Sequence, residues 1–317
     1  MASLATAVLV DTLQQCQDAV AQLFQEAEVA IDIEGVDLSR AGEVCLIQAC
    51  GRSGTVFLFD IHTLKDEAFE LGGLKAFLES DVIKVFYDVR ADCDALHHLH
   101  RADVRASFDL QVLRALKFQD ATDLYLHGLK RVLAEFLQES GRLTEDQVQG
   151  VEALKEQVHE LFETGTEIWR ERPLSPLLIQ YAAVDVQFLL GMKRFWLPED
   201  PMAARQLQDD VMRASDRRWR RFVALPPEYA LHQSSKRIRD VYEADDTSHV
   251  LHVPTTRAGA LIGKKGANIQ AIRATSGAQV CVRDDVAMVV GRPENVEAAV
   301  QLILAKIAER PERHMAR

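Results

Sequence analysis

Three short acidic segments constrain this chain more than any other feature: I-D-I-E-G at 31–35, D-V-R-A-D at 88–92 and Y-A-A-V-D at 181–185. Side chains two apart on a strand share a face, so Asp32 and Glu34 are expected to project together while Ile31 and Ile33 face the other way. On a helix, positions i and i+4 are neighbours, which sets Tyr181 beside Asp185. A fold that gathers such carboxylates incurs Coulomb repulsion. Divalent cations that prefer hard oxygen ligands, Mg²⁺ or Mn²⁺, relieve it. Taken singly, each segment is ordinary, since D-x-E suits a solvated strand face and Y-x-x-x-D a packed tyrosine with a surface aspartate. Their conjunction argues for a metal site.

The rhythm of apolar residues supplies the frame around them. Short apolar runs at 7–10, 29–34, 44–50 and 56–61 read as strands, with a helical pattern at 12–25. The gaps between the last three strands are short and carry Gly, Ser and Arg, which predicts an antiparallel meander. Thereafter helix and strand alternate: 71–79 helical, 83–87 extended, 92–99 helical, and 107–112 extended before turning helical. A meander followed by alternation predicts a mixed α/β sheet flanked by helices. From 120 to 196 the spacing is helical, first through Leu124, Leu129, Leu133, Phe136 and Leu137, then through Val151, Leu154, Val158, Leu161 and Phe162. Pro173 and Pro176 open the helix that carries Tyr181 and Asp185, and Pro198 and Pro201 mark a boundary.

Charge divides the chain. Its net charge is −11, yet residues 1–200 carry 18 Lys and Arg against 34 Asp and Glu, whereas 201–317 carry 19 against 14. An acidic body with a basic remainder suits a metal-binding domain joined to a part that binds polyanions. The five cysteines (Cys16, Cys45, Cys50, Cys93 and Cys281) are odd in number and lack C-x-x-C spacing, so reduced core residues are expected. No run approaches 18 apolar residues and the start lacks a basic n-region, which predicts no membrane span, no export and an intracellular place, cytoplasmic or nuclear.

The basic remainder opens with a predicted helix over 202–223 whose second half reads R-A-S-D-R-R-W-R-R-F. Arg217, Arg218, Arg220 and Arg221 around Trp219 would either funnel single strands by charge and stacking or pair with the acidic domain. Pro226 and Pro227 end it, and a polar stretch to 247 reads as a linker. Residues 248–310 then give β-α-α-β-β-α, with Gly263-Lys264-Lys265-Gly266 between the two adjacent helices, and a short tail occupies 311–317.

These motifs carry two resemblances. Residues 6–197 resemble the DEDD superfamily of 3′–5′ exonucleases, in particular the RNase D-like group that includes the Egalitarian-type proteins. Asp32 and Glu34 match its first motif and D-V-R-A-D-C-D-A-L at 88–96 its second, with Asp92 as the acid rather than Asp94. Tyr181 and Asp185 match the third motif in its tyrosine form, and W-R-E-R-P-L-S at 169–175 is also similar to the family. Where relatives often have His before the second motif, this chain has Tyr87. The resemblance implies an RNase H-like mixed sheet flanked by helices over 1–200 and a two-ion mechanism with cations about 4 Å apart. Asp32 would bridge both ions, Glu34 and Asp185 complete the first, and Asp92 act on the second through water. Tyr181 would orient the attacking water, since a phenol with a pKa of about 10 is too weak a base to act alone.

Residues 248–310 resemble a type I KH domain, an α+β unit whose loop clamps single-stranded nucleic acid. Gly263, Lys264, Lys265 and Gly266 would form the clamp, and Ile262 and Ile269 are either groove or core residues. Together the resemblances imply a Mg²⁺- or Mn²⁺-dependent 3′–5′ exonuclease on single-stranded RNA, releasing 5′-mononucleotides. A single-stranded DNA exonuclease and an RNA-binding adaptor with a vestigial nuclease fold are the alternatives. Asp37, Asp60 and Asp109 are expected to serve turns and caps, and His97, His98 and His100 to be structural or surface groups.

Overall fold

The computed structural model describes residues 6–118, 126–141, 143–162, 165–225, 247–283 and 286–308. The expected linker to 247 and the tail at 311–317 lie outside the described residues, as does Leu124. Contacts divide the chain into two compact units, Met1–Val241 and Tyr242–Arg317.

The apolar runs of the first unit become β1 (Ala7–Val10), β2 (Glu28–Val36), β3 (Glu43–Cys50), β4 (Val56–Asp60), β5 (Ile83–Phe86) and β6 (Ser107–Asp109). They form one mixed sheet in the order β1-β4-β3-β2-β5-β6. β2, β3 and β4 are the expected antiparallel meander, while β1 runs parallel to β4, and β5 parallel to both β2 and β6. Both faces are covered, so alternate side chains of one strand enter different cores. Ile31 and Ile33 pack with Phe59 and Phe86 on one side, whereas Ala30 packs with Leu46, Phe108 and Val184 on the other.

Helix α1 (Leu13–Leu23) begins with a capping box between Thr12 and Gln15, which satisfies two amides that the first turn leaves open. The helix expected over 71–79 is trimmed to Leu74–Leu78, and a short helix that the apolar spacing did not announce precedes it at Glu67–Glu70. α3 (Glu67–Glu70) and α4 (Leu74–Leu78), which follow α2 (Ile61–Leu64), are separated by Gly72 and Gly73, and Gly73 takes φ 88° as the N-cap of α4. The remaining helices of this unit are α5 (Arg90–His100), α6 (Leu110–Phe118), α7 (Leu129–Ser140), α8 (Glu145–Phe162), α9 (Pro176–Gln187), α10 (Leu189–Trp196) and α11 (Pro201–Val223).

Within the basic half of α11, Arg218 follows the pairing alternative and Trp219 is buried beside it. Arg218 is 2% exposed and Trp219 1%, so neither is available for stacking or charge attraction at a surface. Arg218 donates to Asp109 Oδ2 at 2.6 Å and to Gln111 Oε1 at 2.6 Å, and lies 3.3 Å from Asp88. Asp109 also accepts from the backbone N–H groups of Asp88, Val89 and Gln111. The acid expected to serve a turn therefore pins the loop from β5 into α5, and α11 holds it there.

In the second unit, β7 (Thr247–His252), β8 (Gln279–Arg283) and β9 (Val286–Gly291) pair antiparallel in the order β7-β9-β8. Helices α12 (Thr255–Ile262), α13 (Ala267–Ser276) and α14 (Pro293–Ala308) complete the β-α-α-β-β-α order. Leu261, Ile269, Ile272, Val289 and Ile303 form its core. Ile269 is thus a core residue, while Ile262 is half-buried.

No helix among the described residues is long and apolar enough to cross a membrane. Cys16, Cys45, Cys50 and Cys93 are buried and free, as expected of reduced core residues, and the side chain of Cys281 lies outside the described residues.

Candidate active site

Asp32 and Glu34 lie at the middle of the sheet because β2 is the strand between β3 and β5. Just beyond Glu34 the β2–β3 register shifts, at Gly35. A Cβ at Gly35 would stand 1.9 Å from the Glu43 carbonyl oxygen, so this approach of the two backbones needs glycine. The bulge ends the alternation that aims the two acids at one face.

The segment W-R-E-R-P-L-S fixes α9 against that face. Trp169 is buried and packs on Tyr181 with ring centroids 6.3 Å apart. Arg172 closes on Asp60 through Nε at 2.6 Å and Nη2 at 2.5 Å, while Asp60 also caps α2 by accepting from Thr63. Ser175 caps α9, followed by Pro176 in its first turn, the favoured arrangement at a helix start. Tyr181 and Asp185 follow one turn apart. As a result, ligand atoms of Asp32, Glu34 and Asp185 lie within 4.8 Å of one another.

Asp92 sits in the first turn of α5, 6% exposed. Its carboxyl is held well above the usual range, chiefly by burial and then by Asp32, Asp88, Glu34 and Asp109. Asp94, the alternative acid, is taken: Arg40 grips it through Nε at 3.1 Å and Nη2 at 2.5 Å, and the Arg40 backbone N–H donates to it at 3.0 Å. The histidines on α5 are structural as expected, with His97 on Asp103 at 2.7 Å and His100 on Asp66 at 2.9 Å.

Burial pushes Asp32 up to about 6 against the lowering influence of Lys155. Burial, then Asp32, raises Glu34 well above its ordinary value. Metal-free, this cluster resists holding its full negative charge. Tyr181 is raised by burial and by Glu34 and Asp32, which keeps its hydroxyl protonated and able to donate. Asp32, Glu34 and Asp185 line a cavity of about 390 Å³ together with Tyr87, Gln111, Lys130, Lys155, His159 and Tyr181, whereas Asp92 is not among its lining residues. Tyr87, where relatives often have His, donates to the His127 carbonyl at 2.7 Å.

Lys155 is the site residue that sequence reasoning missed. Its side chain is 8% exposed, and its ammonium bonds Oδ1 of Asp185. The available signal was its place on α8, one turn from both Val151 and Val158 on the buried face, where a lysine needs a partner.

The site suits hard divalent cations. Three carboxylates converge within 4.8 Å, and the positive charge among them is an ammonium standing where a cation's ligands gather. A second group of mixed donors, Glu43, Cys45 and His62, also lies within 4.8 Å. Glu43 there is already bonded to His62 at 2.8 Å and to Arg170 at 2.7 Å, which makes it an ion-pair network.

The loop of the second unit expected to act as a clamp contains a 3₁₀ turn over Lys264–Gly266. Gly263 takes φ 75°, and a Cβ there would stand 2.7 Å from the Asn268 side chain, which bridges back to the Ala260 carbonyl at 2.8 Å. Gly266 is left-handed at φ 81°, and Lys264 is exposed. The side chain of Lys265 lies outside the described residues.

Residues 7–195 match the family model described as 3′–5′ exonuclease, and residues 248–305 match that of the KH domain. The chain is 29% identical over 196 residues to the piRNA biogenesis protein EXD1 of Mus musculus, covering 61% of this chain and 33% of that protein. To its Homo sapiens counterpart it is 29% identical over 182 residues, covering 57% and 34%. The chain therefore spans about a third of the length of these curated relatives. Among solved structures, Trypanosoma brucei RNase D in complex with GMP is similar at a TM-score of 0.57 and 24% identity, over 74% of this chain and 70% of that one. The same enzyme in complex with RNA U12 gives 0.54 and 24%, over 69% and 71%. Both are likenesses of fold.

Proposed function

The chain belongs to the 3′–5′ exonuclease family, and from that membership and its carboxylate site we propose that it hydrolyses single-stranded RNA from the 3′ end, releasing 5′-mononucleotides. The observation that carries this reading is the convergence of Asp32, Glu34 and Asp185 within 4.8 Å, on a cavity that Tyr181 also lines. Three carboxylates against the single ammonium of Lys155 leave negative charge there that a divalent cation would neutralise.

Asp32, Glu34 and Asp185 would hold one Mg²⁺ or Mn²⁺ ion, and Asp32 with Asp92 a second, Asp92 acting through water. When bound, such a pair supplies Lewis acidity for the attacking water and for the departing 3′-oxygen. The protein's own contribution is placement. Tyr181, protonated because burial and the acids disfavour its anion, donates its hydroxyl hydrogen bond and orients the water instead of deprotonating it. Arg218 and Asp109 keep Asp92 at its post by pinning the loop before α5.

The KH domain is proposed to hold the single strand through Gly263, Lys264, Lys265 and Gly266, backbone approaching phosphate where the glycines leave room. RNA is favoured over DNA by the names of similar proteins, since EXD1 is called a piRNA biogenesis protein and RNase D was solved with RNA U12. The test is incubation with 5′-labelled single-stranded RNA and DNA of one sequence, with Mg²⁺, Mn²⁺ or chelator. Metal-dependent ladders shortening from the 3′ end of RNA are expected. Binding without shortening would make the protein an RNA-binding adaptor, and equal degradation of DNA would remove the RNA assignment.

A further inference from the structure

Building on the divalent-ion reading of this site, we propose that Lys155 is an exchangeable internal counter-cation, displaced from the carboxylates by the incoming ion and received by the phosphodiester of the strand, so that ion and strand bind cooperatively. Its ammonium bonds Asp185 and acts on Asp32 and Glu34, the three residues whose ligand atoms converge within 4.8 Å. It also stands 4.1 Å from the centroid of the Tyr181 ring. One lysine therefore occupies the place where a cation's ligands gather and covers the tyrosine proposed to orient water.

An ion cannot join this arrangement unchanged. Two cations sharing the Asp185 carboxylate repel at short range in a poorly solvated cavity, so the ammonium must leave as the ion enters. The structure provides room for that. Lys155 lines the carboxylate cavity and also an adjoining one of about 560 Å³ between α7 and α8, walled by Leu133, Leu137 and Val151. A lysine carries a point charge on a flexible four-carbon stem, and a swing into this space needs no movement of α8. Lys130 lines both cavities too, but its ammonium is paired with Glu156.

What receives the displaced charge decides the energetics. Without substrate it loses three carboxylates and gains only water. With a strand bound, a phosphodiester oxygen at the cavity becomes its partner. Each ligand then improves the site for the other, and linkage requires the two effects to be equal. The cation-free site stays electrically quiet, and loading is tied to the presence of substrate.

The experiment titrates Mn²⁺ into the full chain by calorimetry, alone and with a single-stranded RNA whose 3′ linkages are nuclease-resistant phosphorothioates. In the unaltered protein the RNA should tighten Mn²⁺ about 10-fold, a typical coupling between sites. Lys155→Met, similar in length and uncharged, should bind Mn²⁺ about 10-fold more tightly without RNA and gain little when RNA is added. Metal-free, this variant should melt at a lower temperature than the unaltered protein and recover with Mn²⁺. Lys193→Met, which removes a buried ammonium paired with Glu28 at 2.7 Å, should leave Mn²⁺ affinity unchanged. Equal or weaker affinity in Lys155→Met would overturn the exchange while leaving the metal reading intact. Absence of Mn²⁺ binding in both proteins would overturn both. Should Lys155→Met fail to fold, the unaltered protein still decides: Mn²⁺ affinity indifferent to RNA rules the exchange out.

Discussion

Arg40 holds Asp94 from three directions, with Nε at 3.1 Å, Nη2 at 2.5 Å and its own backbone N–H at 3.0 Å. The same guanidinium donates to the carbonyls of Leu225 and Val223 at the end of α11. Asp94 is fully buried, so its charge serves this tie. Asp92→Asn and Asp94→Asn should therefore fail differently. The first is expected to fold and lose cleavage, whereas the second breaks a buried pair and should lose about 3–5 kcal/mol of stability. Urea unfolding beside an RNA-shortening assay separates them, and a stable but inactive Asp94→Asn would reverse the assignment.

Asp32→Asn should abolish cleavage and leave metal-free stability level or raised at neutral pH. Burial lifts the folded pKa of Asp32 to about 6, above the unfolded value of about 3.9. Its charge is therefore a penalty at neutral pH, which fades as pH falls through 6 towards 4. Thermal melts of both proteins from pH 4 to 8 should converge at the acid end. Normal cleavage by the folded variant would remove Asp32 from the mechanism.

Tyr181→Phe deletes the hydroxyl and keeps the ring between Phe162 and Trp169. Activity should fall roughly 100-fold, as for other positioned proton-handling groups, with Mn²⁺ affinity maintained. Calorimetry is the deciding measurement, because loss of ion binding would make the tyrosine a support for the ligands.

Most of the sheet and the acid pairs were legible because they rest on local periods. Alternation at 31–34 fixed which side chains share a face, and the i, i+4 spacing of Tyr181 and Asp185 set both on one turn. What was illegible depends on partners distant in sequence. Lys155 reads as a lysine inside a helical pattern, and only the packing of α8 on α9 brings it to Asp185. The run R-R-W-R-R at 217–221 leaves a strand-binding funnel and pairing with the acidic domain both open, and only the fold puts Arg218 on Asp109, more than a hundred residues earlier in the chain. The late start of α4 was readable in principle from Gly72 and Gly73, but the apolar spacing around them carried the expected helix back to Leu71.

Lys84 is fully buried on β5, and its ammonium donates to the Ser80 carbonyl at 2.6 Å. Burial lowers its pKa to about 7. The unfolded chain therefore binds more protons than the folded one between about 7 and 10.5, and stability should rise with pH across that window. Lys84→Met should flatten that rise. Chemical denaturation at pH 7, 8.5 and 10 gives the comparison, and identical slopes for the two proteins would mean that Lys84 keeps its charge in the folded state.

The clamp loop should govern grip and leave the chemistry alone. Replacing Lys264 and Lys265 together with Asp puts acids where phosphates must approach the 3₁₀ turn. Single-strand binding is expected to weaken, and its dependence on salt to flatten by about 0.7 unit of log–log slope for each phosphate that the loop no longer neutralises. The acids proposed for catalysis all lie in the unit Met1–Val241, so turnover at saturating RNA should be nearly unchanged, with the defect confined to low substrate and to the length of each run. Gly263→Ala approaches the same loop through its backbone: a Cβ there meets Asn268 at 2.7 Å from a left-handed φ of 75°. It should weaken binding while keeping both lysines. If the double Asp variant bound RNA with unaltered affinity and salt slope, the KH unit would serve some end other than holding the strand, and protein contact would be the first to examine.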